Sequence, residues 1–219
     1  MICKVCNEEI NEFNILDPIG VNKHSLCNKC FNKFNVILEK RKINGIKSFS
    51  IYSYDGLIKE LIYQFKGLYD YELKDVFLEY FLDELEFKYI GYTITFAPSS
   101  KEDDNKRGYN HVEEIFACLP NKKVKLFLKK DSYKQSEIKY KNRDKIIDHI
   151  ALIKENIKGI KRVLIVDDVL TSGSTLKACA SLLYKEEIRD IQFLTVSKVV
   201  ENNRNNVVDN QTIRSINIL

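Results

Sequence analysis

The chain has 219 residues, of which 44% are hydrophobic and 30% charged, and its formal net charge is +4. This length suits one ordinary domain with a small appendage, or two small domains, and the apolar fraction is sufficient for a real core. The longest apolar runs, such as VLIV, are far too short to span a membrane. The N-terminal MICKVCNEE has no hydrophobic secretory region, so we expect a cytoplasmic protein without membrane insertion.

Four of the six cysteines form two CxxC pairs near the N-terminus, in a stretch (1–45) with little apolar periodicity. These pairs are Cys3 with Cys6 and Cys27 with Cys30. Two CxxC turns can complete a tetrahedral four-thiolate zinc site; the alternatives are a redox pair or unligated cysteines. Four thiolates leave no open position, so zinc would be structural and would order residues 1–45, with His24 at the surface. The other two, Cys118 and Cys179, lie in apolar surroundings that predict core positions.

Residues 46–219 have the patterning of a larger domain. KSFSIYSYD (47–55) alternates as a strand does, and GLIKELIYQFKG (56–67) has the spacing of a helix. The apolar face of that helix comprises Ile58, Leu61, Ile62 and Phe65. A second amphipathic helix is predicted over residues 71–86.

The next segment, GYTITFAPSS (91–100), predicts a buried strand that stops at Pro98. Asn110 and Glu113 have the spacing of a capping box, which predicts a helix start. The buried stripe of this helix would be Val112, Ile115, Phe116 and Leu119. His111, at the start of the helix, is expected to be a polar surface residue rather than a general base. VKLFL (124–128) predicts a short strand.

Positive charge is concentrated between Lys122 and Lys145, where ten Lys and Arg residues stand against three acidic ones. This stretch is either a solvated face or loop, or it meets a polyanion such as a polyphosphate ligand or nucleic acid.

The C-terminal half alternates strand, helix and strand. VLIV (163–166) predicts a central strand, STLKACASLLYKEE (174–187) a helix, and IQFLTVSKV (191–199) another strand. The residues expected to face inward from this helix are Leu176, Cys179, Ala180 and Leu183. This order predicts an α/β fold with a mainly parallel sheet flanked by helices.

Two adjacent aspartates, Asp167 and Asp168, follow VLIV directly, where ligands bind in open α/β sheets. Their carboxylates can accept hydrogen bonds from vicinal ribose hydroxyls or hold the waters of a divalent ion. The following TSGST (171–175) leads into a helix whose free N–H groups can bind a phosphate, and Gly173 allows close backbone approach. The alternative is a plain strand–turn–helix joint with capping or solvated aspartates. The string is not a Walker A loop because it has no GK[ST].

VLIVDDVLTSGST (163–175) resembles the phosphoribosyl pyrophosphate (PRPP) fingerprint of type I phosphoribosyltransferases. The rest resembles the ComF family of competence-related proteins, which join a four-cysteine zinc module to a phosphoribosyltransferase-like domain. YDGLIKELIYQFKG, PSSKEDDNKRGYNH and the stretch from Gln135 to Arg143 carry this further resemblance. It implies a zinc module over 1–45 and a type I phosphoribosyltransferase-like domain over 46–219.

The resemblance also implies a role for each matching residue. Asp167 and Asp168 would contact the ribose hydroxyls, directly or through Mg²⁺. The residues that would cradle the 5′-phosphate are Thr171, Ser172, Gly173, Ser174 and Thr175. Those in the pyrophosphate loop or among the anion-binding candidates are Ser99, Ser100, Arg107 and Lys66. The basic segment with Gln135 and Arg143 would be a mobile loop that closes over PRPP.

This sequence departs from the family pattern at three positions. Tyr109 and His111 replace the commoner Phe and Gln, and Ile146 replaces an asparagine. These departures affect the expectation for the mobile loop and leave the phosphate loop untouched.

Two functions follow from the resemblance. The protein is either a phosphoribosyltransferase that transfers ribose 5-phosphate to a nucleobase or an amine, or a non-catalytic protein that binds PRPP, a nucleotide or single-stranded DNA. In the second case the setting would be the DNA-uptake machinery of transformable bacteria, with the basic stretch binding the strand.

Overall fold

The computed structural model of the protein describes residues 1–10, 25–130, 147 and 149–200. The strands are β1 (Val36–Ile43), β2 (Ile46–Ser53), β3 (Thr93–Phe96), β4 (Phe127–Lys129), β5 (Ile150–Leu152), β6 (Arg162–Leu170) and β7 (Asp190–Lys198). The α-helices are α1 (Asn28–Phe31), α2 (Gly56–Gly67), α3 (Leu82–Lys88), α4 (Lys101–Arg107), α5 (His111–Ile115) and α6 (Ser174–Lys185). Short 3₁₀ helices cover Tyr71–Phe77, Glu79–Phe81, Phe116–Cys118 and Lys154–Ile157.

The main sheet has five strands in the order β1-β2-β7-β6-β3. Strands β2, β7, β6 and β3 are parallel to their neighbours, and β1 is antiparallel to β2 at one edge. Strands β4 and β5 form a separate antiparallel pair. The sequence-based prediction of an α/β fold with a mainly parallel sheet is confirmed.

Apolar side chains alternate between the two faces of the central strand β6. Leu164 and Val166 belong to a core shared with α2, α5 and the N-terminal cysteines. Val163 and Ile165 belong to a second core shared with α6 and the β4–β5 pair. Both faces are covered, as a parallel sheet requires, and this explains the unbroken apolar run before the aspartates.

The predicted apolar faces of α2, α5 and α6 are buried as expected. One helix was predicted over 71–86, which is wrong: two 3₁₀ segments precede a short α3, and the backbone leaves the helical region at Phe81, where φ is −125°. This winding still buries Leu73, Val76 and Phe77. Cys179 is buried as predicted, whereas Cys118 is exposed, so its predicted core position is wrong.

Strand β1 was not predicted, because the apolar residues of VILEKRKI do not alternate with its polar ones: three apolar residues are followed by the charged run EKRK. An Asn44-Gly45 turn joins it to β2, and both residues have the positive φ that such a tight hairpin turn needs. No helix within the described ranges is both long and apolar enough for a membrane crossing.

Candidate functional site

A cavity of about 420 Å³ opens where β6 ends and α2 passes over it. Three predicted site residues line it, namely Asp168, Lys66 and Thr171. The remaining lining residues are Tyr54, Ile62, Tyr63, Gly67 and Val169. The cavity therefore lies at the carboxyl end of a parallel strand, where ligands of open α/β sheets bind.

The buried Asp168 carboxylate accepts hydrogen bonds at both of its oxygens. Oδ2 lies 3.1 Å from Lys66 Nζ and 3.2 Å from His111 Nε2. Oδ1 accepts from the Val169 N–H at 2.8 Å. Burial alone would raise the pKa of Asp168, but the His111 hydrogen bond and the Lys66 charge lower it below its ordinary value. Asp168 is thus ionised and ready to accept hydrogen bonds from a ligand.

Asp167 occupies the opposite face of β6, because side chains alternate along a strand. Its Oδ1 accepts a hydrogen bond from the Asp168 N–H at 2.9 Å. Burial and the neighbouring Asp168 charge raise the pKa of Asp167 well above its ordinary value. Burial likewise raises the pKa of Cys179 on α6. Of the two aspartates, the described cavity wall includes only Asp168.

β6 is longer than predicted, and this places the aspartates within the strand rather than after it. Asp167 still pairs with Thr195 of β7, and the ladder continues to Leu170 opposite Lys198. The prediction that the strand ends at Val166 is wrong, because β7 pairs with three further residues, Asp167, Val169 and Leu170.

The loop between β6 and α6 contains the residues predicted to hold a phosphate. Thr171 and Ser172 are exposed, Ser174 and Thr175 are half-buried, and Gly173 has a φ of 67°. The Ser172 and Ser174 Oγ atoms lie 2.8 Å apart. The first N–H groups of the 12-residue α6 have no partner within the helix, as at the start of any α-helix.

The loop after Pro98 contains an internal hydrogen-bond network around Asp104. Asp104 accepts hydrogen bonds from Ser99 Oγ, Asn110 Nδ2 and Arg107 Nη2, the last at 2.7 Å. Arg107 is 6% exposed, and Ser100 is half-buried at the N-cap of α4. These three predicted residues therefore lie together around Asp104, and they do not line the described cavity that contains Asp168.

The four N-terminal cysteines meet in space. Their Sγ atoms all lie within 4.8 Å of one another, and Cys6 Sγ is 3.8 Å from Cys27 Sγ. A tetrahedral zinc ion with Zn–S bonds of about 2.3 Å would place its sulfurs about 3.8 Å apart. The donor set and its spacing therefore fit one zinc ion.

Hydrogen bonds and ring contacts attach this cluster to the segment Glu79–Phe81. Glu79 Oε2 accepts from the Ser25 N–H at 2.7 Å. The Tyr80 hydroxyl donates to the Leu26 carbonyl at 3.1 Å, and the Tyr80 ring stacks on Phe31 at 3.8 Å. Burial raises the pKa of Glu79 to about 7.

His111 is the functional candidate that sequence reasoning misjudged. It was expected at the surface, which is wrong, since it is 4% exposed and contacts Asp168. The available signal was its place directly after the capping Asn110, in the RGYNH string next to the sheet edge. Tyr54 and Tyr63, which flank the cavity, were also missed. Gln135, Arg143 and most of the basic stretch lie outside the described residues, as does His24.

Residues 106–215 match the family of the phosphoribosyl transferase domain. The chain belongs to this family. Two curated relatives are each named Competence protein ComFC. The one from Streptococcus pneumoniae is 24% identical over 196 residues, covering 87% of this chain and 84% of the relative. The one from Bacillus subtilis is 27% identical over 139 residues, covering 63% of this chain and 58% of the relative.

These two relatives confirm the predicted resemblance of this phosphoribosyltransferase-family chain to the ComF family. Solved structures with a similar fold include two crystal forms of a hypoxanthine phosphoribosyltransferase from Staphylococcus aureus, each 15% identical. The tetragonal form has a TM-score of 0.32, with 63% of this chain and 62% of that chain covered. The orthorhombic form has a TM-score of 0.31, with 75% of this chain and 68% of that chain covered.

Proposed function

We propose that the protein binds PRPP, with Mg²⁺, in the cavity between α2 and the end of β6. The observation that carries this proposal is the shared lining of that cavity by Asp168, Lys66 and Thr171. An ionised acceptor for a diol, a cation and the start of a phosphate loop within one cavity are the chemical requirements of a ribose phosphate.

Each residue type has a definite task in this proposal. The amides and hydroxyls of residues 171–175 hold the 5′-phosphate at the start of α6, and Asp168 accepts hydrogen bonds from the ribose hydroxyls. Lys66, whose side chain is 46% exposed, can turn from Asp168 toward a phosphate oxygen. Mg²⁺, held mainly by the pyrophosphate oxygens and their waters, would neutralise charge on the leaving group. With Lys66 beside it, Asp168 suits a diol better than direct metal binding.

We further propose a transferase reaction at this site. A nitrogen nucleophile would form a bond to C1 of the ribose while the bond from C1 to the pyrophosphate oxygen breaks. Positioning and charge stabilisation would supply most of the rate, without a covalent protein intermediate. Lys66 is the described cation of the cavity that could stabilise the departing pyrophosphate.

Isothermal titration calorimetry with PRPP tests the binding proposal, with and without Mg²⁺. We expect Asp168→Asn to weaken PRPP binding at least tenfold, and the exposed Asp83→Asn on α3 to leave it unchanged. Equal affinity of all three proteins, or no heat from the wild type, would refute PRPP binding at this site. Pyrophosphate release with a panel of nucleobases and ammonia then separates a transferase from a protein that only binds.

The relatives' names motivate a second proposal, that the protein is cytoplasmic and acts in DNA uptake during competence. Deleting its gene in a transformable host should lower the transformation frequency, and the wild-type gene should restore it. Single-stranded DNA binding by residues 122–145 remains a prediction, because 131–145 lie outside the described residues. A salt titration of single-strand affinity, before and after neutralising those lysines, tests it.

A further inference from the structure

His111 is an imidazole buried beside the proposed ligand-binding carboxylate. Its side chain is 6% exposed, and Nε2 lies 3.2 Å from Asp168 Oδ2. The backbone that carries it is fixed on both sides: Tyr109 Oη donates to the Phe65 carbonyl at 2.6 Å, and Asn110 Oδ1 accepts from the Glu113 N–H at 3.0 Å. The ring therefore has a defined place relative to β6.

Only one of the two ring nitrogens of His111, Nε2, makes a hydrogen bond to a described residue. Nδ1 is buried and has no hydrogen-bond partner among the described residues. An apolar ring of similar size would fill this space without leaving a polar atom unpaired. Packing alone therefore does not explain why position 111 holds an imidazole. The hydrogen bond from Nε2 to Asp168 does explain it.

The groups that face Asp168 differ in how firmly they are held. Lys66 on α2 is 46% exposed, whereas His111 on α5 is 6% exposed. β6 itself contributes the Val169 N–H and the adjacent Asp167, and β7 contributes Ser197, whose hydroxyl donates to the Asp168 carbonyl. When Lys66 moves to a ligand phosphate, His111 remains as the buried side-chain donor to Oδ2.

We propose that His111 is a positioning residue, which holds the Asp168 carboxylate in the orientation that a ribose diol would meet. This inference rests on the proposed PRPP site and adds a residue to it. Both the Nε2–H tautomer and the imidazolium have a hydrogen on Nε2, so the contact survives protonation of the ring. A glutamine at position 111 could likewise donate from its side-chain amide.

Three variants separate positioning from packing. His111→Phe keeps a ring and removes the donor, His111→Asn keeps an amide that is too short to reach Asp168, and His111→Gln keeps the reach. Titration calorimetry with Mg²⁺ and PRPP between pH 5 and pH 8.5 should give the same profile for the wild type and for His111→Gln, with a pH dependence set by the phosphate groups of the ligand. His111→Phe and His111→Asn should lower the affinity for PRPP about tenfold at pH 8. The loss should be larger at pH 5, because removing the His111 hydrogen bond raises the pKa of Asp168.

A ligand-free measurement makes this test independent of the proposed function. The ¹³C carboxyl shift of Asp168 should titrate at a higher pH in His111→Phe and His111→Asn than in the wild type or His111→Gln. If the wild type binds no PRPP but this shift is seen, the proposed function fails and the positioning role stands. The positioning role is overturned if Asp168 titrates at the same pH in every folded variant. It is also overturned if His111→Gln weakens PRPP binding as much as His111→Asn does.

Discussion

Lys66 and Asp168 form an ion pair whose two ends differ in access to solvent. The lysine side chain is 46% exposed and the aspartate side chain 7% exposed, with 3.1 Å between Nζ and Oδ2. Asp168 keeps its other donors when the lysine leaves, so the pair can open without stranding a buried charge. The lysine is therefore the part of the cavity best able to change partner.

We predict that Lys66→Gln weakens PRPP binding about tenfold, since a charge-assisted hydrogen bond to a phosphate contributes about 1.5–3 kcal/mol. Lys59→Gln, an exposed lysine on the same helix, is the matched control and should bind as the wild type does. Titration calorimetry at constant ionic strength measures both. Tighter binding by Lys66→Gln would mean that the lysine competes with the ligand for Asp168.

Glu79, which does not line the cavity, is another acid whose pKa is raised by burial. Its Oε2 is hydrogen-bonded to Ser25, whereas Oε1 is buried without a partner among the described residues. Burial raises its pKa from 4.5 to about 7, so the folded state holds this proton more tightly than the unfolded state does. The stabilisation is complete below pH 4.5 and is lost as the pH rises through about 7.

We predict that Glu79→Gln, which cannot ionise, removes this loss. In zinc-loaded protein, the free energy of unfolding of the variant relative to the wild type should rise by about 1 kcal/mol from pH 6 to pH 8. Urea unfolding at both pH values measures it, with the exposed Glu84→Gln as the control. A difference that does not change with pH would contradict the raised pKa.

At the scale of elements, the joint between β6 and α6 depends on one glycine. Gly173 has a φ of 67° and is the N-cap of α6. A Cβ atom there would lie 3.3 Å from Leu170 Cδ1 and 3.4 Å from Ile43 Cδ1. Any side chain would therefore meet both backbone strain and crowding in the loop that we propose binds a phosphate.

We predict that Gly173→Ala lowers the free energy of unfolding by about 1–2 kcal/mol and weakens PRPP binding at least tenfold. Gly159→Ala isolates the backbone effect, because Gly159 has a φ of 79° and open space around its Cβ position. Gly159→Ala should lower the free energy of unfolding by about 1 kcal/mol. Its affinity for PRPP should equal that of the wild type. Equal affinity losses in the two variants would exclude a local role for the loop.

The elements also differ in how far the sequence could predict them. The uninterrupted VLIV run and the TSGST string predicted β6, α6 and the loop, because burial on both faces and turn chemistry are local properties. The pairing of Asp168 with Lys66 and His111 could not be predicted, since it joins residues 102 and 57 positions apart through tertiary packing. β1 was missed for a related reason: its strand conformation depends on pairing with β2 more than on its own apolar residues.

At the scale of the whole molecule, the cysteine cluster belongs to the core and is not a separate appendage. Cys3, Cys27 and Cys30 are buried in the same apolar cluster as Phe116 and Leu164. If zinc is bound, its free energy of binding contributes to the folding of that whole side of the sheet.

We predict one zinc ion per chain, and a fall in melting temperature of at least about 10 °C when a chelator removes it, since structural zinc contributes to folding. Cys6→Ser should reduce the stoichiometry and the melting temperature together. Cys118→Ser and Cys179→Ala should retain one zinc ion, measured by atomic emission. Loss of zinc in either control would place that cysteine in the site.

The hairpin of β1 and β2 limits how the gene can be divided for expression. The predicted boundary at residue 45 falls inside this hairpin, between Ile43 and Ile46. A fragment beginning at residue 46 would present β2 as a bare edge, with a row of unpaired amides and carbonyls that invites self-association. A fragment for recombinant expression therefore has to begin upstream of Val36, so that β1 stays paired with β2.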